Sequence, residues 1–232
     1  MAAAKEKSDV LVNNEIHNCA ELICSICRQL YKSGWVTGTG GGITIRTGDH
    51  IVIAPSGVQK EKLEVKDMFV MSLTTRDYLH TPKQNSKPSQ CTPLFLSVYT
   101  SRDAYACIHT HSQEAVLLSN LFAQKTHFES SGFDVQRYIP RGSKKNGFYK
   151  FEDTIRIPFI NNTAHESDLQ SNLQKAINEN PYTCAVIVRN HGIYAWGDSW
   201  EDAKMNTEAV EYLFHVFLRD YRIKHSKNCR FF

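Results

Sequence analysis

Ala104-Tyr105-Ala106-Cys107-Ile108-His109-Thr110-His111 is an apolar run that ends in two histidines one residue apart. Alternate side chains of a β-strand share a face, so this strand would present His109 and His111 on one side and let both imidazoles meet one ion without bending the backbone. A third imidazole is available at His191. It lies in Arg189-Asn190-His191-Gly192, after the strand-like Cys184-Ala185-Val186-Ile187-Val188 and before a glycine, the pattern of a tight turn at a sheet end. Neutral imidazole suits zinc, and three protein ligands with an open fourth position are the pattern of a catalytic rather than a structural zinc site. The alternative for His109 and His111 is a hydrogen-bonded pair on a half-buried strand. His17, His50, His80, His127, His165, His215 and His225 lack such an arrangement, and His215 reads as a helix-packing residue.

Working outward, helical and strand-like segments alternate, which predicts a mixed α/β domain. An amphipathic helix spans about Asn14 to Ser33 and stops at Gly34. Gly42–Arg46 and His50–Ala54, separated by Thr47-Gly48-Asp49, form a hairpin, and another strand covers Asp67–Ser72. The polar stretch Leu79–Gln90 is an exposed loop. A helix begins at Thr92-Pro93, where proline is tolerated in the first turn, and runs to about Ser101. Further helices are expected over Gln113–Leu121 and Glu166–Asn178, and a strand near Thr154–Ile160. The run before His191 pairs with Ile193–Trp196 as a hairpin, and Ser199-Trp200-Glu201-Asp202 opens a last helix through Tyr221 with a capping-box pattern. The expected organisation is a flexible segment over 1–13, one domain over 14–224 and a tail over 225–232.

The 232 residues, 41% of them hydrophobic, suffice for one large core. A net charge of +3, from 27 basic and 24 acidic residues, is too balanced to point to nucleic acid. No run approaches the roughly 18 apolar residues of a membrane span, and the first residues carry no secretory signal. A cytoplasmic protein that contacts neither nucleic acid nor membrane is expected. Seven cysteines scattered through apolar segments indicate reduced thiols. Cys24 and Cys27 have the spacing of half a zinc knuckle, but their neighbours Leu22, Ile23, Ile26 and Leu30 follow helical periodicity, so both read as packing residues.

Thr37-Gly38-Thr39-Gly40-Gly41-Gly42 is the second chemical signal. Backbone N–H groups uncovered by side chains can wrap an anionic oxygen, so a phosphate site at Gly40, Gly41 and Gly42 is one reading and a flexible turn is the other. The run is neither a dinucleotide fingerprint nor a Walker loop. Ser56-Gly57, at the exit of the second strand, adds a hydroxyl and another amide.

Gly38-Thr39-Gly40-Gly41-Gly42-Ile43-Thr44-Ile45-Arg46, Ile53-Ala54-Pro55-Ser56-Gly57, Ile108-His109-Thr110-His111 and Val188-Arg189-Asn190-His191-Gly192 together resemble the ordered motifs of the class II aldolase and adducin family, over about Asn14 to Arg222. Within it, Pro55-Ser56-Gly57-Val58-Gln59-Lys60-Glu61, Gln90-Cys91-Thr92-Pro93 and Trp196-Gly197-Asp198-Ser199-Trp200 are similar to the eukaryotic methylthioribulose-1-phosphate dehydratases. The resemblance implies a three-layer α/β/α sandwich around a mostly antiparallel sheet, one zinc ion on His109, His111 and His191, and a homotetramer with active sites near subunit interfaces. It also implies a reaction of methionine salvage, in which 5-methylthioribulose 1-phosphate loses water to give a 2,3-diketo-5-methylthiopentyl 1-phosphate. Zinc would act on the C2 and C3 oxygens, while the glycine run and Ser56-Gly57 would hold the phosphate.

A proton carrier is needed too. The dehydratases place a glutamate some twenty residues after His-x-His, and here that region reads Phe128-Glu129-Ser130-Ser131-Gly132-Phe133-Asp134. One inserted residue puts Asp134 at the acid position, with Glu129 as its competitor. Cys91 stands where the aldolases carry a glutamate, and is expected either to line the substrate pocket or to be a buried thiol at a helix start. A class II sugar-phosphate aldolase and a non-enzymatic adducin-like binding protein are the competing functions.

Overall fold

The computed structural model describes residues 10–82 and 86–226. In chain order its elements are helix α1 (Asn14–Lys32), strands β1 (Gly42–Thr47), β2 (His50–Ile53), β3 (Phe69–Ser72) and β4 (Tyr78–His80), helix α2 (Thr92–Arg102), strand β5 (Ala106–Thr110) and helix α3 (Gln113–Leu121). Strands β6 (His127–Ser130) and β7 (Ile155–Ile160), helix α4 (Gln170–Glu179), strands β8 (Ala185–Val188) and β9 (Gly192–Gly197) and helix α5 (Trp200–His225) complete it. The strands form one sheet in the order β4-β3-β2-β1-β5-β9-β8-β7-β6. Every neighbouring pair is antiparallel except β7 with β8.

Period-two alternation divides the core between the two faces of the sheet. Ile43, Ile45, Ala106 and Ile108 point to the side covered by α1, and Ile187, Ile193 and Ala195 to the same side, where α3 and α5 pack. Cys107, Val186, Val188, Tyr194 and Trp196 point to the other side, under α2 and α4. Two helical layers with a sheet between them make the three-layer α/β/α sandwich that the family resemblance implies.

Most elements follow from local chemistry. Asn13 caps α1, its side-chain oxygen accepting from the Glu15 N–H at 2.9 Å, and Ile16, Ala20, Ile23, Cys24, Cys27 and Leu30 form the buried stripe of that helix. Cys24 and Cys27 are therefore packing residues, and each cysteine among the described residues is a buried free thiol. Ser199 caps α5, accepting from the Asp202 N–H at 3.2 Å.

Several segments depart from expectation. Leu79 and His80, read as loop, form the edge strand β4, because pairing with β3 satisfies a backbone whose side chains carry no alternating signal. β6 has no sequence signature of its own, and it forms by pairing with β7. Glu166–Leu169 is a 3-10 turn, and the α-helix starts only at Gln170. The described residues begin within the segment read as flexible, where Val10–Val12 make a 3-10 turn and Leu11 is buried. At the other end α5 continues to His225. His215, read as packing, is instead partly exposed and lies 3.0 Å from Glu114. No helix among the described residues is long and apolar enough to cross a membrane.

Candidate active site

Backbone register assembles the site. Gly42 at the start of β1 lies opposite His109 on β5, and His109 lies opposite Tyr194 on β9, so these positions share one row across three strands. The His109 side chain points to the α2/α4 face and is fully buried. Its ring stacks on that of Tyr194, with centroids 4.1 Å apart and planes within 8°. Its Nδ1 is 2.9 Å from the Ile193 carbonyl oxygen. A carbonyl can only accept, so Nδ1 carries the proton and the Nε2 lone pair faces the centre.

His111 lies one residue beyond the end of β5 rather than within the strand, and its N–H donates to the Trp35 carbonyl at 2.8 Å. Thr110 points the opposite way and donates to Glu211 Oε1 on α5 at 2.6 Å. His191 sits in the turn between β8 and β9. There Asn190 adopts φ 54°, its N–H donates to Ser119 Oγ at 3.0 Å, and the Arg189 guanidinium donates to the Ser119 and Lys125 carbonyls. The His191 Nδ1 faces Asn162 Oδ1 at 3.3 Å, which turns its Nε2 inward as well.

The three Nε2 atoms form a nearly equilateral triangle, at 3.0 Å for His109–His111, 3.0 Å for His111–His191 and 3.2 Å for His109–His191. Two imidazole nitrogens on one tetrahedral zinc ion, each about 2.0–2.1 Å from it, are about 3.3 Å apart. The donor set and its spacing thus fit a divalent metal ion. Burial, above all, pushes the His111 imidazole down to about 3 and that of His191 down to about 4. Both rings are therefore neutral near pH 7, the protonation state a metal requires.

Beside the triangle stands a carboxylate with no signature in the sequence. Glu166 Oε1 lies 3.1 Å from His109 Nε2 and 3.8 Å from His191 Nε2, and accepts from the Tyr194 hydroxyl at 2.7 Å and the Cys91 thiol at 3.1 Å. Burial acts to raise its pKa, but the hydrogen bonds it accepts, those of the Tyr194 hydroxyl and the Cys91 thiol among them, prevail and hold it below the usual carboxylate range. Burial and the Glu166 charge push the Cys91 thiol upward, so Cys91 is a neutral hydrogen-bond donor and not a thiolate. Tyr194 could have been suspected, since it follows His191 by three residues and faces the same side of the sheet as His109. Glu166 could not, because Ala164-His165-Glu166-Ser167 reads as an ordinary helix start.

Glycine is required where the first loop meets the centre. A Cβ on Gly40 would collide with the His111 ring, and the Gly41 N–H points to His111 Nε2 at 3.4 Å. The Gly40 N–H is committed to the Thr37 carbonyl at 3.0 Å, so the glycine run packs against His111 and is not an open ring of free amides. The Ser56 N–H is likewise used, donating to the Lys87 carbonyl at 3.0 Å, and Ser56 is half-buried. Lys60 joins the two loops. This side chain is buried, and its Nζ donates to the carbonyls of Thr39 (3.1 Å), Pro55 (3.2 Å) and Val58 (3.2 Å). Burial lowers its pKa, against the raising influence of Cys27, Cys91 and Glu166.

Asp134 and Glu129 are not brought to this centre within the chain. Glu129 lies on edge strand β6, half-exposed and 2.7 Å from Arg156. Asp134 follows in the 3-10 turn Asp134–Tyr138, exposed and 3.1 Å from Arg137. Three strands, β9, β8 and β7, separate β6 from β5. At about 4.8 Å per strand, the separation is roughly 19 Å.

A sheet carrying three convergent imidazoles at one end defines a class of protein. The family described as "Class II Aldolase and Adducin N-terminal domain" matches residues 21–218, and the chain belongs to it. A protein of Schizosaccharomyces pombe described as methylthioribulose-1-phosphate dehydratase is 67% identical over 220 residues, covering 95% of this chain and 96% of its own length. A Komagataella phaffii protein of the same description is 47% identical over 220 residues, covering 95% and 90%. Among solved structures, an L-fuculose 1-phosphate aldolase superposes with a TM-score of 0.70 at 20% identity, covering 89% of this chain and 87% of that one. That likeness concerns the fold.

Proposed function

We propose that this chain is a hydro-lyase of methionine salvage, a zinc-dependent dehydratase of 5-methylthioribulose 1-phosphate. The observation that carries the reading is the triangle of His109, His111 and His191 Nε2 atoms beside a Cys91 that replaces the aldolases' glutamate, in a chain 67% identical to a protein described as that dehydratase. An aldolase reading lacks that acid at the start of α2, and an adducin-like binding role leaves the three imidazoles without purpose.

The reaction removes the C3 proton, breaks the C4–O bond so that hydroxide leaves as water with an added proton, and lets the resulting enol tautomerise to the 2,3-diketone. His109, His111 and His191 would hold the metal, which when bound supplies Lewis acidity to the C2 and C3 oxygens. His109 is fixed in tautomer by the Ile193 carbonyl and in orientation by Tyr194. The phosphate would sit at the Ser56 hydroxyl and Gly57, against the outer face of the Gly40–Gly42 loop whose amides are largely committed within the fold, and Lys60 ties the two loops together and adds positive potential beneath them. Cys91 would contact the substrate through its neutral thiol. A cavity of about 530 Å³ lined by Tyr78, Gln90, Pro93, Leu96 and Glu166 is of a size and polarity to take the rest of the sugar and its thioether tail.

Asp134, with Glu129 second, is the proposed proton carrier, acting on the site of a neighbouring copy in a homotetramer. Tyr138 and Tyr212 support this, because both are exposed and line one cavity with Asp134. The substrate is a sugar phosphate in the cytoplasm. Metal content and turnover of 5-methylthioribulose 1-phosphate test the proposal: about one zinc per subunit and formation of the diketone are expected. Zinc without diketone, together with cleavage of a sugar phosphate to dihydroxyacetone phosphate, would favour the aldolase instead.

A further inference from the structure

We infer that the Glu166 carboxylate is a fourth, displaceable ligand of the metal centre, supplied by the turn after β7 and not by the start of α2, where Cys91 stands. The inference rests on the metal-centre reading above and adds a ligand to it.

Three imidazole nitrogens and one carboxylate oxygen meet at the centre. His109 commits its Nδ1 proton to the Ile193 carbonyl and His191 directs its Nδ1 to Asn162, so both inner nitrogens are acceptors, as is Glu166 Oε1. An oxygen 3.1 Å from one inner imidazole nitrogen and 3.8 Å from another needs positive charge between them, and one metal ion on the imidazoles would supply it to all these atoms together. His109 is moreover common to two groups of donor atoms, with His111 and His191 in one and Cys91 and Glu166 in the other, which sets Glu166 beside the histidine triangle.

The carboxylate is held for this role. Its side chain is only 15% exposed, and no lysine or arginine among the described residues forms an ion pair with it. The nearby Lys60 ammonium is turned to three backbone carbonyls instead. A carboxylate so enclosed needs a counter-charge, which a divalent ion on the imidazoles would provide. Tyr194 and Cys91 both donate to the same oxygen, Oε1, and so aim it at the histidines. Glu166 also forms part of the wall of the 530 Å³ cavity, which gives the side chain space to withdraw into when oxygens of an incoming ligand take its position.

Cobalt(II), whose visible bands report the number and kind of its ligands, is the probe. The full-length chain is stripped of metal, reloaded with cobalt(II), and titrated with acetohydroxamate, a bidentate oxygen ligand. The native spectrum should shift when the hydroxamate enters, whereas Glu166→Gln should begin with an altered spectrum and bind cobalt(II) at least about tenfold more weakly. Glu166→Asp, which keeps the charge but retracts it by a methylene, should fold normally and still change the spectrum. Tyr194→Phe should show a smaller shift in the same direction. Native and Glu166→Asp spectra that superimpose, before and after hydroxamate, would overturn the assignment and leave Glu166 as an outer hydrogen-bond partner. His191→Ala separates the two readings: a native chain that binds no cobalt(II), or a His191→Ala variant that binds it equally tightly, removes the histidine centre and the fourth ligand with it.

Discussion

His109 shows how much one position settles. Its burial, its stacking on Tyr194 and its bond to the Ile193 carbonyl leave one nitrogen and one direction for chemistry. His111 depends on glycine. With Gly40→Ala the new methyl meets the His111 ring, so metal affinity should fall on the order of tenfold, read by chelator competition, while the thermal midpoint changes little. Gly192 is bound by the same logic, because a Cβ there would collide with the Thr110 carbonyl. Glu211 offers a pH test away from the ligands. Burial pushes this carboxyl up to about 7 from its ordinary 4.5, against hydrogen bonds from Ser112 and Thr110, and Oε2 has no partner among the described residues. Between those pH values the folded chain keeps a proton that the unfolded chain releases. Its stabilising contribution is therefore complete below pH 4.5 and is lost as pH rises through 7. Glu211→Gln should flatten the dependence of unfolding free energy on pH across this window and raise stability above it by up to about 3 kcal/mol. An unchanged slope in denaturant titrations would show that Glu211 is ionised in the fold.

Elements carry the second level of order. β5 lies near the middle of the sheet, bonded to β1 on one side and β9 on the other, and each neighbour delivers part of the site: the glycine loop before β1 and the His191 turn before β9. α5 backs this arrangement, packing on β9 and β5 and accepting the Thr110 hydroxyl through Glu211. Ser199 starts that helix, and Ser199→Ala should cost about 1 kcal/mol in chemical unfolding with little effect on metal binding. The motifs around β1, β2, β5, β8 and β9 were legible because alternation, glycine and histidine spacing act locally. β4 and β6 were not. Both are edge strands whose pairing partner, and not their own side-chain pattern, decides their conformation.

The whole molecule raises the matter of the missing proton carrier. Glu129 lies on an edge strand four strands from His109 and Asp134 in the turn after it, yet Asp134 borders a cavity with the exposed Tyr138 and Tyr212. A carboxylate that serves the site of a second copy predicts complementation. Asp134→Ala and His191→Ala should each be inactive, and refolding an equal mixture should restore about a quarter of native turnover through random assembly of subunits. No recovery, with both variants folded and assembled, would place the proton carrier within the same chain and direct attention to Glu166.

By itself the sequence determined a mixed α/β domain, the order of the motifs and the three imidazoles, because period-two burial and ligand spacing are properties of short segments, while the three-layer sandwich was implied by the family resemblance those motifs carry. Only the tertiary structure decided that Glu166, Cys91, Tyr194 and Lys60 surround those imidazoles. These residues come from segments far apart in the chain, and what joins them is sheet register and crossover, which no local pattern encodes. The same physics explains the glycines, whose spacing suggested an anion cradle. Their need to be glycine arises in part from the His111 ring, which the fold brings against Gly40 from some seventy positions away.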